Sequence, residues 1–189
     1  MTELTDSKQK IIKAAEPLFM LRGYKGLGMS ELASLSGMKQ ASLYYHFPKG
    51  KEELFVAVVQ SAIHRHHLGM ITALESSETL ESQLMAVAEW FFREPPFDIL
   101  AMFRNDFHHL STENQRAINK QIYLIHSPVA NCIRMHFEKG ELNVCNFDNL
   151  AGILLSTIQA LRESYRFTNS TPQSLFQDFL NTLLVGLRK

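Results

Sequence analysis

Residues 29–47, Met-Ser-Glu-Leu-Ala-Ser-Leu-Ser-Gly-Met-Lys-Gln-Ala-Ser-Leu-Tyr-Tyr-His-Phe, hold two helix-length runs joined at Gly37. Helices shorter than about 12 residues are marginal in water, so 29–36 and 39–46 must fold against a third element. Ile11, Ile12, Ala15, Leu18 and Phe19 fall on one face of such an element, a first helix predicted to stop at Arg22-Gly23. Pro17 inside it predicts a kink near Lys13 rather than a break. Gly37 can take the left-handed conformation that turns the chain from one short helix into the next, and Ala33 is small enough to let the two approach. Leu32, Met38, Leu43 and Phe47 are then expected to face Ile12, Ala15 and Phe19. The result is a helix-turn-helix whose second helix is free to enter a DNA major groove, about 12 Å wide.

The exposed start of that second helix offers Lys39, Gln40, Ala41 and Ser42: a cation, a bidentate amide, a small apolar contact and a hydroxyl, a set suited to base edges. Tyr44, Tyr45 and His46 follow, with donors placed to reach phosphates; Phe47 and one of the two tyrosines are expected to pack inward. Lys49 and Lys51 flank Gly50 at the next helix start, where free backbone N–H groups favour an anion. The formal charge of the chain is zero. Residues 1–55 carry eight Lys/Arg against six Asp/Glu, and 56–189 eleven against thirteen, so the mildly basic part is the one with the helix-turn-helix. A sequence-neutral architectural binder needs net positive charge to neutralise phosphates, so this balance favours base readout.

The rest of the chain reads as helices and no strands. A long helix from Lys51 to about Leu74 begins with Glu52 and Glu53, which suit the helix dipole. Further helices are predicted over Leu80–Arg93, Phe97–Leu110, Glu113–Lys139, Phe147–Phe167 and Pro172–Leu187, divided by Glu94-Pro95-Pro96, Ser111-Thr112, Gly140 and Asn169-Ser170-Thr171. The fold class expected is all-α: a helix-turn-helix domain over 1–50, then a larger helical domain over 51–189 whose first helix, 51–74, links the two.

Gly23-Tyr24, Leu32-Ala33, Gly37-Met38, Leu43-Tyr44-Tyr45-His46-Phe47 and Lys51-Glu52-Glu53-Leu54, in that order and spacing, resemble the DNA-binding signature of the tetracycline-repressor (TetR) family. The resemblance covers roughly residues 8–55. Gly28 stands where a capping Thr is usual and Lys39 where a Ser often caps the recognition helix, so both short helices are expected to start less firmly. Gly50 reads as an extra residue before Lys51. The resemblance implies a homodimeric, ligand-responsive transcriptional regulator, most often a repressor, that binds a palindromic operator in double-stranded DNA and leaves it when a small effector enters the larger domain. No cofactor is implied.

In that larger domain the last two helices carry broad apolar faces. By resemblance Leu154, Ile158, Leu161, Phe176, Phe179, Leu180, Leu183 and Leu184 pair with their copies in a dimer; the alternative is that these faces close an intramolecular core. Ala151, Gly152, Ser156 and Ala160 would let helices approach. The middle helices are rich in aromatics, including Phe92 and Phe97. Trp90, Phe91, Phe103, Phe107 and Tyr123, with Arg104, His108 and His126 as polar groups, are the candidate effector pocket, with Gln121 and Asn131 near enough in sequence to serve. Pro128 is expected to bend its helix and open space beside Tyr123 and Cys132. A mainly hydrophobic effector follows.

Other classes fit less well. Cys132 and Cys145 are too few for a disulfide framework and lack metal-ligand spacing. His64 and His67 share a helix face, which keeps a metal-responsive sensor as an alternative, but Asp106-x-x-His109 is the single approach to a carboxylate-bridged metal motif. No nucleophile elbow, phosphate-cradling loop or Cys-x-x-Cys pair points to an enzyme, and no catalytic or metal residues are assigned. No apolar run is long enough for a membrane span and the first residues lack a secretion signal, so a cytoplasmic protein is expected. A DNA-binding or interaction module that senses nothing is the remaining alternative.

Overall fold

The computed structural model describes residues 2–95, 98–143 and 146–187, with side chains from residue 6 onward. Phe97 and Cys145, both singled out in the sequence, lie outside the described residues. Nine α-helices make up the architecture among the described residues: α1 (Thr2–Arg22), α2 (Met29–Leu35), α3 (Gln40–His46), α4 (Lys51–Glu75), α5 (Leu80–Arg93), α6 (Ile99–Asn105), α7 (Thr112–Glu138), α8 (Phe147–Ser164) and α9 (Pro172–Leu187). The fold is all-α, as the periodicity predicts. No helix among the described residues is long and apolar enough to cross a membrane.

Two boundaries differ from expectation. The helix predicted over 97–110 stops at Asn105, is capped by Asp106, and gives way to a single 3-10 turn, Phe107–His109. Asp98 starts it by accepting from the Ala101 N–H at 2.8 Å, and Asp106 ends it because its carboxylate is drawn elsewhere. The helix predicted to Phe167 likewise ends at Ser164 and tightens into a 3-10 turn, Tyr165–Phe167. Helix α1 continues through Pro17.

The contacts divide the chain into two compact units: residues 1–63 with 96–121, and 64–95 with 122–189. In the first unit, Ile11, Ile12, Ala15 and Phe19 of α1 are buried with Leu32 and Ala33 of α2, Leu43 of α3, and Phe47. Phe19 meets Phe55 of α4 edge-on, ring centres 5.0 Å apart. Gly37 has φ of 65°. Around it the Met38 N–H reaches the Ala33 carbonyl at 2.9 Å and the Gly37 N–H reaches Ser34 at 3.2 Å. This pair of bonds is the Schellman termination that lets α2 stop and the chain turn at once into α3. Neither Gly28 nor Lys39 supplies a side-chain cap, so these two-turn helices depend on burial of Leu32, Ala33, Leu43 and Phe47.

In the second unit, α5 packs against α8 and α9, and α8 against α9. Leu84, Val87 and Ala88 of α5, Ala151, Leu154 and Ile158 of α8, and Phe176, Leu180 and Leu184 of α9 are buried within the single chain. Five of the residues expected to meet a second copy, Leu154, Ile158, Phe176, Leu180 and Leu184, thus face inward. Leu161, Phe179 and Leu183 are half-buried, and the large apolar side chains that the described parts of α8 and α9 leave exposed are Ile153 and Val185. The periodicity marked one broad face; packing against α5 takes its centre and leaves its flank.

Candidate nucleic-acid interface

Helix α3 is anchored by Leu43, its one buried side chain, and by Phe47, its C-cap, which is wholly buried. Lys39, Gln40, Ala41 and Ser42 are all exposed. So are both tyrosines, Tyr44 at 45% and Tyr45 at 67%, where one had been expected to pack inward. Tyr44 lies beside Gly50 rather than in the core, and Tyr45 stands edge-on to His46 with centres 5.1 Å apart. The structure therefore brings seven of the nine candidate DNA contacts onto or beside one short helix.

The other two, Lys49 and Lys51, part company. Lys49 is exposed, but its backbone N–H donates to Glu53 Oε2 at 2.9 Å. Glu53 thereby fills part of the anion site expected at the start of α4. Lys51 is turned inward: its Nζ donates to the Tyr24 carbonyl at 2.9 Å and lies 4.2 Å from the centre of the Tyr24 ring. Burial lowers the Lys51 pKa, opposed by the nearby Asp106 carboxylate. Glu52, expected to serve only the helix dipole, instead accepts from the Ser111 N–H at 2.6 Å and from Asn114 Nδ2 at 2.8 Å. Burial would raise its pKa; the hydrogen bonds from Asn114 and Ser111 outweigh that and hold it below the usual carboxylate value. Sequence reasoning missed Tyr24 as a structural hub and Asp106 as its partner. The local signal was there in Gly23-Tyr24 and in the polar Arg104-Asn105-Asp106, but nothing in either stretch names the other.

The candidate effector residues are divided between the two units. Phe103 and Phe107 stack against each other, centres 4.4 Å apart, beside exposed Arg104 and His108, all in the first unit. Trp90, Phe91, Tyr123 and His126 belong to the second. There Phe91 stacks on His66, centres 4.9 Å apart and planes 8° apart, Trp90 covers Gly69, and Tyr123 is 54% exposed. The second unit holds an open cavity of about 420 Å³ beside Pro128 and Cys132. Ile71, Leu74 and Met135 give it apolar walls, and Gln83, Ser127 and Asn131 polar ones. Pro128, Asn131 and Cys132 had been marked in the sequence; the aromatics had not been separable from ordinary core.

A buried hydrogen-bond network backs this cavity. Gln83 Oε1 accepts from Cys132 Sγ at 3.2 Å and pairs with His136 Nε2 at 2.8 Å, while its Nε2 donates to the Leu74 carbonyl at 3.0 Å. That last bond fixes which way the Gln83 amide points, so His136 carries a proton on Nε2. His136 Nδ1 lies 2.5 Å from Glu141 Oε2, and this contact, with Lys139 nearby, lowers the Glu141 pKa. His67 donates from Nδ1 to the Leu124 carbonyl at 2.9 Å. Among the described residues no group of three His, Cys, Asp or Glu side chains is arranged to hold a metal.

A tight helix-turn-helix that presents a polar and aromatic helix face, joined to a helical unit with its own cavity, defines a helix-turn-helix DNA-binding protein. Residues 11–58 match the sequence profile of the tetR family of bacterial regulatory proteins. The chain is 50% identical over 54 residues to the HTH-type transcriptional regulator LmrA of Bacillus subtilis, a match covering 29% of each chain. The match spans less than half the length of the curated relatives. The fold extends the likeness to nearly the whole chain. The TetR family transcriptional regulator PfmR from Thermus thermophilus superposes with a TM-score of 0.68 at 21% identity, covering 95% of this chain and 99% of that one. The transcriptional regulator FadR from Bacillus subtilis, solved with stearoyl-CoA, gives 0.74 at 16% identity, covering 94% and 98%. At these identities the likeness is one of fold.

Proposed function

We propose that this protein is a ligand-responsive transcriptional repressor that binds a palindromic operator as a homodimer and is released by a small, mainly hydrophobic effector. The observation that carries this reading is the exposed face of α3, where Lys39, Gln40, Ala41, Ser42, Tyr44 and Tyr45 all stand clear of the core while Leu43 and Phe47 hold the helix down. Such a face has no packing role, and its side chains match the hydrogen-bonding edges and phosphates of a major groove. We assign DNA reading to residues 1–50 and effector binding and dimerisation to 51–189.

The effector site is the cavity walled by Ile71, Leu74, Gln83, Ser127, Cys132 and Met135. Its apolar lining with a few polar groups is what small hydrophobic ligands fill. That FadR was solved with stearoyl-CoA supports a hydrophobic effector as a class. The dimer forms on the flank of α8 and α9 around Ile153, Leu161, Phe179, Leu183 and Val185, since a two-fold operator requires two copies of α3. Regulation rather than catalysis, in the cytoplasm, completes the reading.

Selection of bound sites from random duplexes by the purified protein tests it. A palindrome is the expected result. Enrichment of no sequence, alone or with a panel of hydrophobic compounds present, would overturn it.

A further inference from the structure

Tyr24, in the turn between α1 and α2, is held by groups outside the helix-turn-helix pair. Its N–H donates to Asp106 Oδ1 at 2.8 Å, 82 residues away in sequence. Its carbonyl accepts from Lys51 Nζ at 2.9 Å, and its ring packs on Phe55 with centres 5.2 Å apart. Gly23 permits the approach, for its φ is 70° and a Cβ there would come within 2.9 Å of Asp106 Oδ1. Asp106 is only 9% exposed, and a carboxylate at that depth needs partners to offset desolvation. The Tyr24 N–H is one, and the Lys51 ammonium, near enough to interact with it electrostatically, is another. The adjacent Glu52 binds Ser111 and Asn114 at the start of α7. The short joint from Asp106 to Asn114 thus grips both the α1–α2 turn and the first turn of α4.

We propose that Asp106 is a positioning residue for DNA recognition: with Glu52, it fixes the α1–α2 turn on the joint between α6 and α7 and so sets the pose in which α3 is presented. The inference rests on the DNA-binding reading above. A buried carboxylate bonded to a backbone N–H cannot also serve a base or phosphate, so its effect on DNA binding acts through Tyr24. Because the same joint ends α6 and begins α7, any displacement of it is felt at α3, and by linkage a bound operator resists that displacement equally.

The test uses the full-length protein and the palindrome found by selection, together with duplexes whose half-sites are moved one base pair further apart. A fixed pose tolerates only one spacing. The wild type is expected to lose at least about tenfold in affinity on the lengthened duplex. Asp106→Ala is expected to bind the original duplex more weakly yet lose less than about threefold on lengthening, with faster hydrogen exchange at the Tyr24 amide and unchanged exchange in α5 and α9. Asp106→Asn keeps an acceptor oxygen and should restore the spacing penalty.

A general loss of folding would lower all duplexes alike and speed exchange everywhere. An Asp106→Ala protein with the wild-type spacing penalty and wild-type Tyr24 exchange would overturn the assignment. So would an Asp106→Asn protein that stays folded but has lost the penalty along with Asp106→Ala. If the wild type binds no duplex, the DNA-binding reading itself fails, a result distinct from all of these.

Discussion

The ammonium of Lys51 sits 2.9 Å from the carbonyl oxygen of Tyr24 and over its ring, while Lys49, two residues earlier, stands in solvent. Two lysines of one short turn therefore have different expected effects on DNA binding. Each phosphate neutralised adds about 0.9 to the slope of log affinity against log salt. Lys49→Ala should flatten that slope by about one unit. Lys51→Ala should weaken binding with the slope unchanged, because it loosens Tyr24 instead of releasing counterions. Fluorescence anisotropy at four or five salt concentrations measures both; a flattened slope for Lys51→Ala would mean that its ammonium leaves Tyr24 for a phosphate on DNA.

Gln40 is the first residue of α3 and is exposed. An amide there can pair with both the N6 and N7 positions of adenine, a contact worth about 1–3 kcal/mol against the wrong base. Gln40→Ala should relax the preference at one position of each half-site and leave the others intact. Repeating the site selection with the variant checks it, and an unchanged consensus would assign base readout to Lys39 and Ser42.

Local pattern reached as far as local causes do. The Gly37 turn, the start of α4 at Lys51 and the start of α9 at Pro172 follow from glycine, proline and apolar spacing, and the structure has them. The break at Asp106 was not legible, because what ends α6 there is a partner 82 residues away. The cavity was half legible: Pro128 and Cys132 are on it. The aromatics are not, since Trp90 covers Gly69 and Phe91 stacks on His66, contacts that depend on which helix lies opposite. The exposed tyrosines of α3 show the same limit from the other side. An aromatic run gives no measure of how much of it a two-turn helix can bury.

Gly69 of α4 has no room for a side chain, because a Cβ would overlap the indole of Trp90. Alanine favours a helix interior by about 1 kcal/mol over glycine. Here forced displacement of a large ring should outweigh it, as overpacking costs about 1–3 kcal/mol. Gly69→Ala is expected to lower the melting temperature by a few degrees, whereas Gly69→Ala with Trp90→Leu should melt above Trp90→Leu alone. Calorimetry of the three variants decides; a stabilised single variant would mean that Trp90 swings away freely.

Cys132 is buried, donates to Gln83 and lines the cavity. Burial pushes its thiol up to about 11, and the thiolate is the reactive form. In a Cys145→Ser background, alkylation at pH 8 should be about a hundredfold slower than for a free cysteine thiol. Urea should abolish the difference. Rapid labelling of the folded protein would instead make Cys132 a candidate sensor of electrophiles.

His66 is fully buried and lies flat on Phe91. Burial, with Arg65 and Arg162 nearby, pushes its pKa from 6.5 down to about 3. Between those values the unfolded chain binds a proton there that the folded chain does not, so stability rises with pH across that window. The contribution is complete above about pH 6.5 and is lost as the pH falls toward 3, by at most about 1.4 kcal/mol for each unit. Urea midpoints measured from pH 7 to pH 4.5 should therefore decline. His66→Phe, which keeps a flat ring against Phe91 and cannot take up a proton, should flatten that decline. If the slope of the variant equals that of the wild type, the acid sensitivity belongs to other groups and His66 takes up its proton in the folded chain as it does in the unfolded one.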